Sequence, residues 1–303
     1  MQPPSRASLL GSIVLAGAFG VVALGGAGCT ASSGRSGFEN DPPPSDAAPN
    51  QPAPGGNGNL GQQQPPSDED PPEVAEVFGH SAGTLYRLDP VTKAVSVVGD
   101  FSGCGPVIDI ALDEKSTLIA ASYEALYKVD KATAACTEIA KGAYPNSLSF
   151  VPKGTVDANE EALVGYDGGD YLRIDVTTGK TSKIGALGGS FVSSGDIVSV
   201  KGGKTYLTVK GGSCNNNDCL VEVDPKTGKM LKNWGSIEHQ KVFGLSFWAG
   251  KIYGFDETGN LFEVTFGTNQ LATTSIPIPK APSGLSFWGA GSTTAAPLVA
   301  NPQ

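Results

Sequence analysis

Histidine occurs only twice in this chain, at His80 and His239, and never in a His-Glu-x-x-His pair. The two-imidazole zinc helix of a metalloprotease is therefore excluded. Basic residues are also short, with 21 Lys and Arg against 30 Asp and Glu. No Lys/Arg-rich stripe and no complete phosphate loop occurs, so the footprint of a nucleic-acid binder is missing and so is a phosphate cradle. Long apolar runs are absent apart from Leu9–Leu24, which spans 16 residues. A membrane-spanning helix needs about 20.

What stands at the N-terminus is an address. Arg6 precedes the apolar run and small residues follow it, the layout of a secretory signal peptide over residues 1–28. The exit reads Leu24-Gly-Gly-Ala-Gly-Cys29, which resembles the lipobox of bacterial lipoproteins. Ala27 and Gly28 fit the two positions before the cysteine; Gly26 departs from the branched aliphatic residue preferred there. The resemblance implies that Cys29 becomes the lipidated first residue, anchoring the chain to a membrane. Cleavage after Ala27, releasing a soluble protein, is the alternative. Thr30 carries no acidic retention signal, which points to the outer membrane of a Gram-negative cell envelope. Residues 29–73 then form a Pro/Gly/Gln-rich linker. Thr30–Glu73 holds ten of the 22 prolines and a net charge of −6. Such a segment cannot bury enough apolar surface to offset its ordering entropy, and as a coil it reaches on the order of 40 Å.

Residues 74–303 carry a repeat. Leu85-Tyr-Arg-Leu-Asp89, Leu126-Tyr-Lys-Val-Asp130, Tyr171-Leu-Arg-Ile-Asp175, Leu220-Val-Glu-Val-Asp224 and Leu261-Phe-Glu-Val-Thr265 share one pattern, their last residues 41, 45, 49 and 41 positions apart. Apolar residues alternate with a charged one, the period of a strand. Further strands precede and follow each run, giving four per unit, the spacing of propeller blades. Complete units span 107–141, 146–186, 195–237 and 243–278. The first copy, Val74–Gly99, lacks its innermost strand. Gly284-Leu-Ser-Phe-Trp288 nearly repeats Gly244-Leu-Ser-Phe-Trp248 and is expected to supply it. The fold expected is all-β: a five-bladed β-propeller closed by N- and C-terminal strands in one shared blade. A plain β-sandwich is the rival, and it gives no reason for the split copy.

The turns after the runs, such as Asp224-Pro-Lys-Thr-Gly228, resemble those of quinoprotein-like and YVTN-type propeller repeats. The likeness spans most of 76–290 and implies fold only; no residues for a quinone or its calcium accompany it. In these turns Asp89, Asp130, Asp175 and Asp224 are read as local backbone acceptors.

Blade connectivity places the starts of the innermost strands, the second-to-third hairpins and the crossovers on one face, usually the binding face. The strand starts offer Asp109, Asn146, Ser147 and Asp196; the loops offer His80, Asp167, Asp256 and His239. Two carboxylates and an amide could hold calcium or do acid–base work. The plainer role for Asp109 and Asp196 is bonding to backbone amides in a wet channel. No cofactor is otherwise implied. Cys214 and Cys219 bracket a hairpin and are expected to form a disulfide, with too few ligands for zinc. Cys104 and Cys136 then pair by elimination, although they map to opposite faces. Trp248 and Trp288 are expected to pack between blades, and Trp234 to be an exposed aromatic. The leading expectation is a non-catalytic binding module on the cell envelope, its partner a small molecule, a glycan or an envelope protein. A lactonase, lyase or glycosidase with its site at the channel mouth is the second, and a structural part of an envelope assembly the third.

Overall fold

The computed structural model describes residues 75–300. The signal peptide, Cys29 and the 29–73 linker lie outside the described residues. Twenty strands form five four-stranded antiparallel sheets, and no helix occurs among the described residues. Blade II comprises β4 (Asp109–Leu112), β5 (Leu118–Ala121), β6 (Ala125–Val129) and β7 (Cys136–Lys141). Blade III holds β8 (Leu148–Val151), β9 (Ala162–Asp167), β10 (Asp170–Ile174) and β11 (Thr181–Ala186). Blade IV holds β12 (Phe191–Ser199), β13 (Thr205–Gly211), β14 (Cys219–Val223) and β15 (Met230–Ser236). Blade V holds β16 (Val242–Trp248), β17 (Lys251–Asp256), β18 (Leu261–Phe266) and β19 (Leu271–Ile276).

Blade I joins the two ends of the described chain. It holds β1 (Val77–His80), β2 (Thr84–Leu88) and β3 (Val95–Asp100), and β20 (Gly289–Ser292) adds the innermost strand in the order β20-β1-β2-β3. The register runs from Val77↔Ser292 to His80↔Gly289. Shared closure is thus present, but the strand is not Gly284–Trp288. That segment lies in the crossover, and the true strand follows directly after it. A buried apolar cluster fills each of the five gaps between neighbouring blades, including V–I, where Phe255 and Leu261 meet Val77, Tyr86 and Ala290. Inner strands β4, β8 and β20 are buried along their whole length and β12 and β16 over most of theirs, whereas outer strands are half exposed. This gradient is why the middle runs alternate so clearly in the sequence.

The turns on one face, here called lower, work as read. The Asp89 carboxylate accepts from Val91 N at 2.8 Å and Thr92 N at 3.0 Å, and Asp130 and Asp175 repeat the pattern. The fifth residue of each turn has positive φ: Lys93, Ala134, Gly179 and Gly228. At Gly228 a Cβ would also sit 2.3 Å from the Tyr171 ring, so glycine serves both the turn and the close approach of blades III and IV.

Both disulfides form, with Cα separations of 5.5 Å for Cys104–Cys136 and 5.4 Å for Cys214–Cys219. The expected conflict over Cys104 and Cys136 dissolves through twist. About 20–25° per strand pair accumulates to roughly 60–75° across a blade, so an outer strand no longer runs from face to face. The start of β7 meets the I–II crossover, where Cys136 N donates to Ser102 O at 2.7 Å.

The lower end of the channel is covered. After β20, Thr293 N donates to Glu76 O, Lys201 N donates to Thr294 O, and Leu298 packs over Gly202 and Gly203. The Glu76 side chain, almost fully buried, accepts from Arg87 at 2.7 Å and also bonds Ser116 and Lys131. Ala75 therefore enters the propeller on the lower face, and the upper face stays open.

Candidate functional site

The upper ends of the five inner strands form a ring: Asp109, Ser147, Asp196, Gly244 and Gly289. Equivalence follows from the bonding. Asp109 accepts from Ile110 N at 2.8 Å and from Leu148 N of the next blade at 2.6 Å. Asp196 repeats this with Ile197 N at 2.7 Å and Leu245 N at 2.6 Å. Each carboxylate thus staples its own blade to the next. Both are fully buried, and burial pushes both acids well above the usual carboxylate range; at Asp196 the charge of Asp109 adds to the effect. The two side chains bond to each other. Burial and the neighbouring acid both favour the protonated form at this pair.

His80 completes the floor. Its Nδ1 lies 2.9 Å from Ser81 O. A carbonyl only accepts, so Nδ1 carries the proton and Nε2 presents a lone pair. Burial pulls His80 down to about 4, which keeps it neutral. Its Nε2 has no partner. A Cβ at Gly289 would lie 2.3 Å from this Nε2 and 2.5 Å from Asp109 Oδ1. His80, Asp109 and Asp196 are therefore brought together.

One residue above the ring lie Ile108, Asn146, Phe243 and Trp288, with Gly195 at the fifth position. With Tyr123 and Glu257 from two hairpins they line a cup of about 220 Å³. Trp288 is 38% exposed and Tyr123 69%. Of the sequence candidates, only Asn146 is on this rim. Asp256 and His239 pair with each other at 3.1 Å, with His239 stacked on Phe262. Bonds from His239, Thr258 and Asn260 outweigh burial and hold Asp256 at about 2. Asp167 is exposed at the end of β9, across from Asp170.

Two of the three tryptophans depart from expectation. Trp248 packs between blades as expected, half-buried at the lower end of β16 against the IV–V and V–I clusters, whereas Trp288 stands on the upper rim. Trp234 is not exposed; it packs on Phe266 under the Lys232 ammonium. The sequence reading missed Trp288, Tyr123, Phe243 and Glu257 as site residues. The signal was their place: Phe243 and Trp288 stand one residue before a ring position. It also missed Gly79-His80-Ser81-Ala82-Gly83, which has the spacing of a hydrolase nucleophile elbow. That stretch is a β-hairpin, in which Ser81 Oγ accepts from Thr84 N at 3.1 Å, and not a strand-to-helix elbow.

Three cavities wider than the cup open on the lower face, one of about 460 Å³ and two larger, of about 490 and 570 Å³. Their walls are turns and charged hairpins of both signs. In the cavity of about 490 Å³, burial pushes Glu161 up to about 7. No group of three His, Cys, Asp or Glu side chains among the described residues is placed to hold a metal ion.

No family model matches the chain, and no curated protein matches it. Among solved structures it is similar to a chain of a nidogen/laminin complex, at 11% identity and TM-score 0.44, covering 75% of this chain and 100% of that one. A protein of unknown function from Bacteroides caccae is similar at 9% identity and TM-score 0.39, covering 70% and 76%. Oligogalacturonate lyase in complex with manganese is similar at 12% identity and TM-score 0.33, covering 63% and 58%. The fold is that of a five-bladed β-propeller, and the five closed sheets carry this assignment by themselves.

Proposed function

We propose that this chain is an exported bacterial lipoprotein, anchored through Cys29, that displays the upper mouth of its propeller as a binding site. The observation that carries the reading is the division of the mouth into two layers. The accessible layer is an aromatic cup, the usual lining of a ligand site. The carboxylates are sealed beneath it and already accept backbone amides. Residues 1–28 act as the leader, 29–73 as the tether and 74–303 as the binding module. Two disulfides support an oxidising compartment such as the envelope. The likeness to quinoprotein-like and YVTN-type turns supports kinship of fold and nothing more. The described chain enters the propeller at Ala75 on the lower face, opposite the cup. Labelled fatty acid should enter the wild type and not Cys29→Ala, whereas a Cys29→Ala protein that still takes up label removes the anchor.

A catalytic reading has one observation in its favour, the free Nε2 lone pair of His80 beside Asp109. It requires substrate or water to pass below the cup. Turnover of a lactone or glycan that is abolished by His80→Gln would replace the binding reading.

A further inference from the structure

Building on the reading of the upper mouth as a binding site, we infer that its ligand is a neutral pyranose, the terminal sugar of a glycan. Size is the first argument. A cup of about 220 Å³ lies below the roughly 300–1,000 Å³ of pockets for drug-sized ligands, and it suits one ring. The walls come next. Trp288, Tyr123 and Phe243 arrive from three blades and stack on no other ring among the described residues. Their faces are left for a guest with an apolar face of its own, as the C–H side of a pyranose has.

Charge narrows the class. A carboxylate free of other partners would strengthen an aromatic cage for a quaternary ammonium. Glu257, the one rim acid, is ion-paired with Lys241. Among the described residues no Lys or Arg lines the cup, so a uronate or a phosphate meets no cation in its wall. Asn146 offers a donor and an acceptor side by side, which matches neighbouring hydroxyls.

The floor supplies the second, independent observation. Ser147 Oγ, directly below Asn146, and His80 Nε2, below Trp288, are fully buried and unpartnered. An unmade bond at a buried group is costly, and hydroxyls of a guest in the cup would complete both through water admitted beneath it. Apolar walls above orphaned polar atoms fit a guest that is itself part apolar and part hydroxyl.

The test uses the full-length chain, titrated with neutral mono- and oligosaccharides, a uronate oligosaccharide, choline and an apolar tripeptide, by calorimetry and tryptophan fluorescence. We expect saturable binding of a neutral sugar, weakened about tenfold or more by Trp288→Ala and by Tyr123→Ala. Trp234→Phe should bind as wild type, and unchanged melting temperatures should show that the variants fold. If only the uronate, choline or the peptide binds in a Trp288-dependent way, the sugar class is wrong while the mouth remains a site. If no probe gives a Trp288-dependent signal, the sugar inference is overturned and the binding reading goes with it.

Discussion

Replacing Asp109 and Asp196 together by Asn should change how stability depends on pH. In the unfolded chain both acids ionise near their ordinary value of 3.8. In the folded ring burial raises both well above it, so folding takes up protons wherever the folded acids stay protonated and the unfolded ones have ionised. The unfolded state then binds fewer protons than the native one, and stability falls as pH rises, by about 1.4 kcal/mol per unit for each proton. His80 acts in the opposite sense. Its folded value of about 4 lies below 6.5, so its contribution grows between those pH values and is complete above them. The informative window therefore opens at pH 6.5. In the double variant each amide NH₂ must face one backbone N–H, losing a bond worth about 1–3 kcal/mol at each site. The variant should start out less stable, and the gap should narrow as pH rises above 6.5. Urea unfolding followed by tryptophan fluorescence at several pH values measures this. Glu161 titrates in both proteins and cancels in the difference. Parallel stability curves across that window would falsify the raised carboxyls.

Gly289→Ala should lower the melting temperature, because its Cβ meets His80 Nε2 at 2.3 Å and Asp109 Oδ1 at 2.5 Å; a loss of about 1–3 kcal/mol is expected, and a calorimetric scan equal to wild type refutes it. Removing Cys104–Cys136, which closes a loop 32 residues apart, should cost more than removing Cys214–Cys219, 5 apart. Chain entropy gives about 4 against about 2 kcal/mol, and denaturation of the two Cys→Ser pairs checks the order. Asp256→Asn should cost about 2 kcal/mol near pH 7. Asp256 is depressed in the fold to about 2, so this stability is present above its ordinary 3.8 and fades as pH falls through 2. A penalty that persists undiminished at pH 2 would refute that origin.

Most of the architecture was written in spacing. The middle strands of each blade have one face in an interblade cluster, so Tyr86/Leu88 and Val221/Val223 alternate visibly with Arg87 and Glu222. The closing strand was not legible. Gly289-Ala-Gly-Ser292 has neither branched nor alternating side chains, because it must pass close to Gly244, Asp109 and His80. The Gly-Leu-Ser-Phe-Trp repeat offered a louder match five residues early and carried Trp288 to the wrong end. Asp109 and Asp196 stood out as polar starts of inner strands. That they meet across the channel depends on the ring's radius, which no local pattern encodes. Cys104 and Cys136 looked mismatched because strand order gives height along a blade but not the tilt that twist adds.

β1 lies between β20 and β2, bonded on both sides along its length, and Ala75 leads into it from beneath. A pull on Ala75 directed away from the upper mouth would run parallel to that strand. Both ladders would then be loaded in shear, all their bonds resisting together, instead of being unzipped one at a time. The seam that joins the two ends of the fold is thus also the part best oriented to bear mechanical tension.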